Sequence, residues 1–214
     1  MILFRIYQLL IAVPVLIVLT VLTSVVTILG CIPTRGRFWG YYPAHLWARA
    51  FCYLNFVSVN VSGRDNINPR TSYVFVANHQ GAFDIFAIYG FLNHNFKWMM
   101  KASLRKIPFV GYACRRAGHI FVDRGSAARI RHSMEEARRQ LDGGMSLVVF
   151  PEGSRSKDGQ LGNFKRGAYL LATELNMPVV PVTIDGAYAV MPRHARLPRP
   201  GSIHLTIHPV ITAP

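Results

Sequence analysis

The chain changes its hydrophobic rhythm once. Between Arg5 and Arg35 lie 29 residues without a formal charge, dominated by the run LLIAVPVLIVLTVLTSVVTILG from Leu9 to Gly30. About 20 apolar residues are enough for a helix to cross hydrocarbon, so this segment is long enough to span a bilayer or to lie embedded from one side. Pro14 permits a kink in it. Beyond residue 56 the pattern becomes short β-branched runs alternating with amphipathic stretches, which predicts strands over 56–61, 72–77, 119–123, 146–150, 178–184 and 202–209. Helices fit between them over about 82–92 and 164–176, and over 126–141, where Ser126 offers an N-cap and Asp142-Gly143-Gly144 a stop. The Pro- and Arg-rich stretch 191–201 reads as a surface loop. Alternation of this kind predicts an α/β fold: a mixed, partly parallel sheet flanked by helices, preceded by an N-terminal membrane-embedded helical segment. The expected organisation is an anchor over 1–56, made of an apolar helix at about 7–30 and an aromatic interfacial stretch at 37–56, followed by an α/β domain over 57–214.

Charge narrows the partners. Lys plus Arg outnumber Asp plus Glu by 24 to 10, and the part after the apolar segment keeps 23 against 10, a net of +13. Such a surface wants an anion. The basic residues are scattered among apolar segments without a helix-turn-helix, zinc-finger or RRM pattern, so anionic lipid is expected and nucleic acid is not. Arg35, Arg37 and Arg49 follow the apolar run while only Arg5 precedes it, a small bias toward a cytoplasmic catalytic domain. Cys31, Cys52 and Cys114 are odd in number and far apart, which suggests neither a disulfide framework nor a CxxC site.

Two polar clusters follow apolar strands. In Asn78-His79-Gln80-Gly81-Ala82-Phe83-Asp84, a regular helix would hold His79 and Asp84 roughly 140° apart, out of reach. With His79 at the strand end, a turn at Gly81 and Asp84 in the first turn of the next helix, the carboxylate folds back to the imidazole. A carboxylate so placed fixes the tautomer and stabilises the imidazolium of a general base. The bland alternative is a helix-capping histidine and a dipole-complementing aspartate. In Phe150-Pro151-Glu152-Gly153-Ser154-Arg155-Ser156, a glycine turn flanked by hydroxyls and a guanidinium suits a phosphate, with Glu152 binding a hydroxyl or orienting Arg155. Arg124 ends a third strand in the same way. GxSxG, a cysteine nucleophile motif, GxxxxGK[ST], GxGxxG and HExxH are all missing, so neither an acyl-enzyme, nucleotide hydrolysis, dinucleotide redox chemistry nor a metal site is expected.

Asn78-His79-x4-Asp84, Gly118 to Arg124, Phe150 to Ser156 and Val180-Pro181-Val182 together resemble the four ordered blocks of the glycerolipid acyltransferases, above all the bacterial 1-acylglycerol-3-phosphate acyltransferases. Ser154 stands where threonine is common, and either supplies a hydroxyl. The resemblance covers about residues 70 to 185. It implies acyl transfer from acyl-CoA or acyl carrier protein to the sn-2 hydroxyl of lysophosphatidic acid, giving phosphatidic acid, with no cofactor, no metal and no covalent intermediate. It also implies His79 and Asp84 as the catalytic pair, with Arg124, Glu152, Gly153, Ser154 and Arg155 at the glycerol phosphate. Lys101, in the segment KASLRK with Arg105 and Lys106, faces anionic lipid, substrate phosphate or an acidic carrier, or is simply a solvated cation. Pro181 shapes the pocket. The expected location is the inner membrane, with the catalytic domain on the cytoplasmic side. Two rivals stay open: another lysolipid as acceptor, and a non-enzymatic membrane protein that binds anionic lipid.

Overall fold

The computed structural model describes residues 2–34, 36–123, 126–141 and 145–212. The N-terminal apolar segment is one helix, α1 (Ile2–Gly30), and only 17% of its most apolar window is buried. Its only irregularity is a π-helical stretch, Gln8–Ala12, just before Pro14, where the Val13 N–H bonds to the Gln8 carbonyl. Proline lacks the N–H of a regular turn and its ring crowds the carbonyl four residues back, and the wider turn absorbs both defects.

At the rise of an α-helix α1 is about 43 Å long, and both of its ends touch the rest of the chain. Near the start, Arg5 donates to the Pro198 carbonyl (2.8 Å) and Gln8 Nε2 to Asn55 Oδ1 (3.0 Å). Midway, Trp47 Nε1 donates to Thr20 (2.9 Å). At the end the Trp39 ring lies against Gly30, with no space for a Cβ between them.

The aromatic stretch expected as an interfacial belt or shallow helix forms α2 (Tyr42–Leu54). One side of it is built into the domain, since Ala48 and Cys52, with Tyr41 just before the helix, share a core with the sheet. The other side leaves Tyr42, Leu46 and Tyr53 exposed.

Seven strands follow: β1 (Val57–Ser62), β2 (Val74–Ala77), β3 (Phe96–Lys101), β4 (Ile120–Val122), β5 (Ser146–Val149), β6 (Val179–Asp185) and β7 (Gly201–Ile207). Their order across the sheet is β1-β7-β6-β2-β5-β3-β4. The run β6-β2-β5-β3-β4 is parallel, β7 is antiparallel to β6, and β1 is parallel to β7. The mixed sheet is therefore the expected one, with a seventh strand, β3, that the pattern did not announce. Parallel neighbours need crossovers, and these carry α3 (Phe83–Phe91), α4 (Val110–Arg116), α5 (Ala127–Leu141) and α6 (Gly167–Glu174). A short α7 (Ala187–Val190) follows β6. Ser126 caps α5 as expected, its Oγ accepting the Arg129 N–H at 3.3 Å.

Strand β2 shows how the layers are assembled. Phe75 and Ala77 pack with Val148, Val180, Val182 and Phe83, Ala87 and Ile88 of α3. Val74 and Val76 pack on the other face with Leu147, Val149, Ala137 and Leu141 of α5, and Ala172 of α6. A strand covered on both faces has no polar side, which is why VFVA in β2 and LVV in β5 are continuous apolar runs.

Candidate active site

In the parallel part of the sheet all carboxyl ends point the same way, so the segments that follow β2, β3, β5 and β6 share one edge. His79 and Asp84 meet there. The His79 Nδ1 lies 2.7 Å from Asp84 Oδ2, and the same oxygen accepts the Gly81 N–H at 2.8 Å. The loop closes as the spacing required: β2 ends at Ala77, and Asp84 sits in the first turn of α3. Gly81 is needed for a steric reason, because a Cβ there would stand 2.6 and 2.7 Å from the carbonyl oxygens of Ala187 and Met191. Asp84 is fully buried, and its burial pushes the carboxyl above its usual range, against the opposing pull of His79 and the Gly81 N–H. Accepting from Nδ1–H, the carboxylate fixes the tautomer whose Nε2 carries the free lone pair.

The second cluster is tied to the first through the backbone. Both oxygens of Glu152 accept main-chain N–H groups, His79 to Oε1 at 2.7 Å and Gly162 to Oε2 at 3.0 Å. The Ser156 N–H donates to the His79 carbonyl at 2.7 Å. Glu152 is 9% exposed, and its two bonds brace the loop of His79. Gly153 adopts φ +74°, a left-handed turn that glycine enters without a Cβ clash, and its N–H donates to the Phe150 carbonyl at 3.0 Å. Ser154 is exposed and Arg155 half-buried, and among the described residues Arg155 has no carboxylate within ion-pair distance. Lys101 is exposed at the carboxyl end of β3, on the same edge. Pro181 lies within β6, opposite Val76 of β2. Arg124 lies outside the described residues. The three cysteines are free thiols, and among the described residues no group of three His, Cys, Asp or Glu side chains is placed to hold a metal ion.

Three contributors were not singled out by the sequence. The Phe150 ring stacks on the His79 imidazole, centroids 4.0 Å apart and planes within 9°, and Trp98 stacks behind Phe150 at 5.5 Å. Asn78 holds the loop to β6 as if it were a strand, donating to the Ile184 carbonyl at 2.9 Å and accepting the Ile184 N–H at 2.7 Å. Ser156 Oγ accepts the Gly159 N–H and donates to the Gln160 carbonyl, both at 2.9 Å. Only their adjacency to the two clusters signalled them. Three N–H groups in the turn from His79 to Ala82 are already engaged, by Glu152, by Asp84 and by the Met191 carbonyl.

The sequence profile of a family described as Acyltransferase matches residues 58–185. The chloroplastic 1-acyl-sn-glycerol-3-phosphate acyltransferase of Arabidopsis thaliana is 33% identical over 178 residues, which cover 82% of this chain and 49% of that protein. The human 1-acyl-sn-glycerol-3-phosphate acyltransferase alpha is 35% identical over 134 residues, 62% of this chain and 47% of that one. The chain thus spans about half the length of these curated relatives. Among solved structures, the 1-acyl-sn-glycerophosphate acyltransferase of Thermotoga maritima superposes with a TM-score of 0.81 at 29% identity, covering 99% of this chain and 85% of that one.

Proposed function

The chain belongs to the acyltransferase family, and from that premise we propose that it acylates the sn-2 hydroxyl of 1-acylglycerol-3-phosphate to make phosphatidic acid. The observation that carries the reading is a buried Asp84 gripping His79 beside a turn that carries the Arg155 guanidinium, which has no carboxylate within ion-pair distance among the described residues. The names of the relatives support the acceptor.

An alcohol is a weak nucleophile at neutral pH, whereas a thioester is already activated, so the enzyme's main task is to take a proton. His79 Nε2 removes it as the acceptor oxygen attacks the thioester carbonyl carbon. Asp84 holds the imidazolium that results. When the tetrahedral adduct collapses and the C–S bond breaks, the same imidazolium returns the proton to the leaving thiolate. No bond to the protein forms, and none of these steps asks for a cofactor. Phe150 fixes the plane of the ring throughout. Arg155, Gly153, Ser154 and Lys101 supply the cationic and hydrogen-bonding rim that receives the phosphate, with Arg124 as a further cation. Acyl-CoA and acyl carrier protein both fit as donors, since both present an acidic carrier to a basic protein.

The proposed location is the cytoplasmic face of the inner membrane. A helix about 43 Å long that touches the same domain near both ends fits a helix laid into one leaflet better than one crossing the bilayer. The test of function is a thioester-release assay with the protein in vesicles, comparing lysophosphatidic acid with lysolipids lacking the terminal phosphate. Release dependent on lysophosphatidic acid is expected. Equal turnover of a neutral lysolipid would reassign the acceptor, and no release with any acceptor would leave a lipid-binding protein.

A further inference from the structure

The segment that joins β3 to α4 has no part in the chemistry above. Residues 103–109 are exposed without a break, including Leu104 at 38%, Ile107 at 44% and Phe109 at 54%. Phe109 adopts φ +59°, a conformation costly for a bulky aromatic side chain, yet its ring gains little burial in return. Strain held at an exposed apolar tip needs a partner outside the chain.

Three observations name that partner. Arg105, Lys106 and Arg115 stand among the apolar residues, and the only acid paired with them is Glu136, 3.8 Å from Arg105 among the described residues. Helix α4 packs on α1, so the segment continues the exposed apolar surface of the N-terminal helix. It also leaves the carboxyl end of β3, the edge of the sheet that carries His79. Exposed apolar residues interleaved with cations suit an anionic bilayer, where side chains pass below the headgroups while guanidinium and ammonium groups meet phosphates.

We propose that residues Leu104 to Phe109, with Arg115, form a second contact with an anionic phospholipid surface, pinning the His79 edge of the sheet to the leaflet that holds α1. The proposal deepens the acyltransferase reading by stating how the site faces its lipid.

The test uses the full-length protein in vesicles of phosphatidylcholine and phosphatidylglycerol. A nitroxide is placed at Phe109→Cys in a Cys114→Ala background, and at Asn68→Cys, an exposed site by Tyr73 at the opposite edge of the sheet. Collision with dissolved oxygen is then compared with collision with a water-soluble nickel chelate. The label at 109 should be accessible to oxygen and shielded from nickel, and the label at 68 the reverse. Equal nickel accessibility at the two sites overturns the proposal, whether or not the protein is active, so this arm stands apart from the functional assay. The combined variant Leu104→Gln, Ile107→Gln and Phe109→Gln should lose roughly tenfold of its turnover on vesicle-borne lysophosphatidic acid and little on a short-chain soluble analogue, since only the former depends on interfacial docking. A loss confined to acyl carrier protein as donor, with the label at 109 exposed to water, would instead make this surface a carrier dock.

Discussion

At the scale of single residues, Asp84 is at odds with stability and in accord with chemistry. Its folded-state affinity for a proton is raised by burial, so the folded chain binds that proton more tightly than the unfolded chain does. The ionised form therefore costs stability at every pH above the raised value, and the cost fades as pH falls toward the ordinary carboxylate range. Asp84→Asn removes the charge that stabilises the imidazolium, while an amide oxygen at the Oδ2 position still accepts from both the Gly81 N–H and the His79 Nδ1–H. Turnover should fall roughly 100- to 10,000-fold, while the melting temperature at pH 7 matches or exceeds that of the wild type and the gap closes toward pH ~4. His79→Ala should lose a similar factor, with the double variant little worse, because the two act as a unit. Near-normal turnover by purified His79→Ala would refute the mechanism. Arg155→Ala should raise the KM for lysophosphatidic acid about tenfold or more and leave that for the thioester nearly unchanged, since a charge-assisted contact to phosphate is lost. A rise confined to the thioester would move Arg155 to the donor side.

At the scale of elements, two loops after β2 and β5 function as one piece. Glu152 joins them by accepting one N–H from each side of the site. Glu152→Gln keeps the shape but only one acceptor oxygen, so one buried N–H is left without a partner at a cost of about 1–3 kcal/mol. For a chain of this size the melting temperature should fall by roughly 2–12 °C. Turnover should fall as well, because the His79 backbone loses its brace, and thermal scans beside initial rates would check both. An unchanged melting temperature would show that the brace is not structural. Strand β3 escaped the sequence pattern for a related reason. Lys97 interrupts the apolar run, yet it is 3% exposed, with its Nζ donating to the carbonyls of Gly36 (2.9 Å) and Ala117 (2.6 Å). Those carbonyls come from distant segments, so nothing local announced that a lysine could be satisfied inside. Burial lowers the pKa of its ammonium to about 8.

At the scale of the whole molecule, the question is how much α1 belongs to the fold. Only 17% of its most apolar window is buried, so removing residues 1–34 takes away little of the core. The truncated protein should keep its α/β domain, at reduced stability because Asn55, 4% exposed, loses Gln8. It should lose most activity on bilayer-borne long-chain lysolipid and retain more on short-chain soluble analogues. Both substrates sit at the membrane, and drawing a chain into water costs about 0.8 kcal/mol per CH₂. Far-UV circular dichroism with paired assays on vesicles and soluble analogues would check this. Full activity of the truncated chain on vesicles would reduce α1 to a targeting device, and complete unfolding would make it part of the core.

The sequence by itself determined what local periodicity and local chemistry encode: the long apolar helix, six of the strands, the helices 126–141 and 82–92 to within a few residues, and the pairing of His79 with Asp84 through a turn that Gly81 permits. Each depends on residues within a few positions of one another, so each leaves a readable pattern. Tertiary structure alone decided the strand order, the third strand with its buried lysine, the seating of α2 in the core, the Phe150 ring on His79 and the role of Glu152 as a brace. These join residues from 20 to more than 70 positions apart, Lys97 and Ala117 at 20 and His79 and Glu152 at 73, and a contact across such distances is selected by the packing of the whole sheet, which no short window of sequence contains.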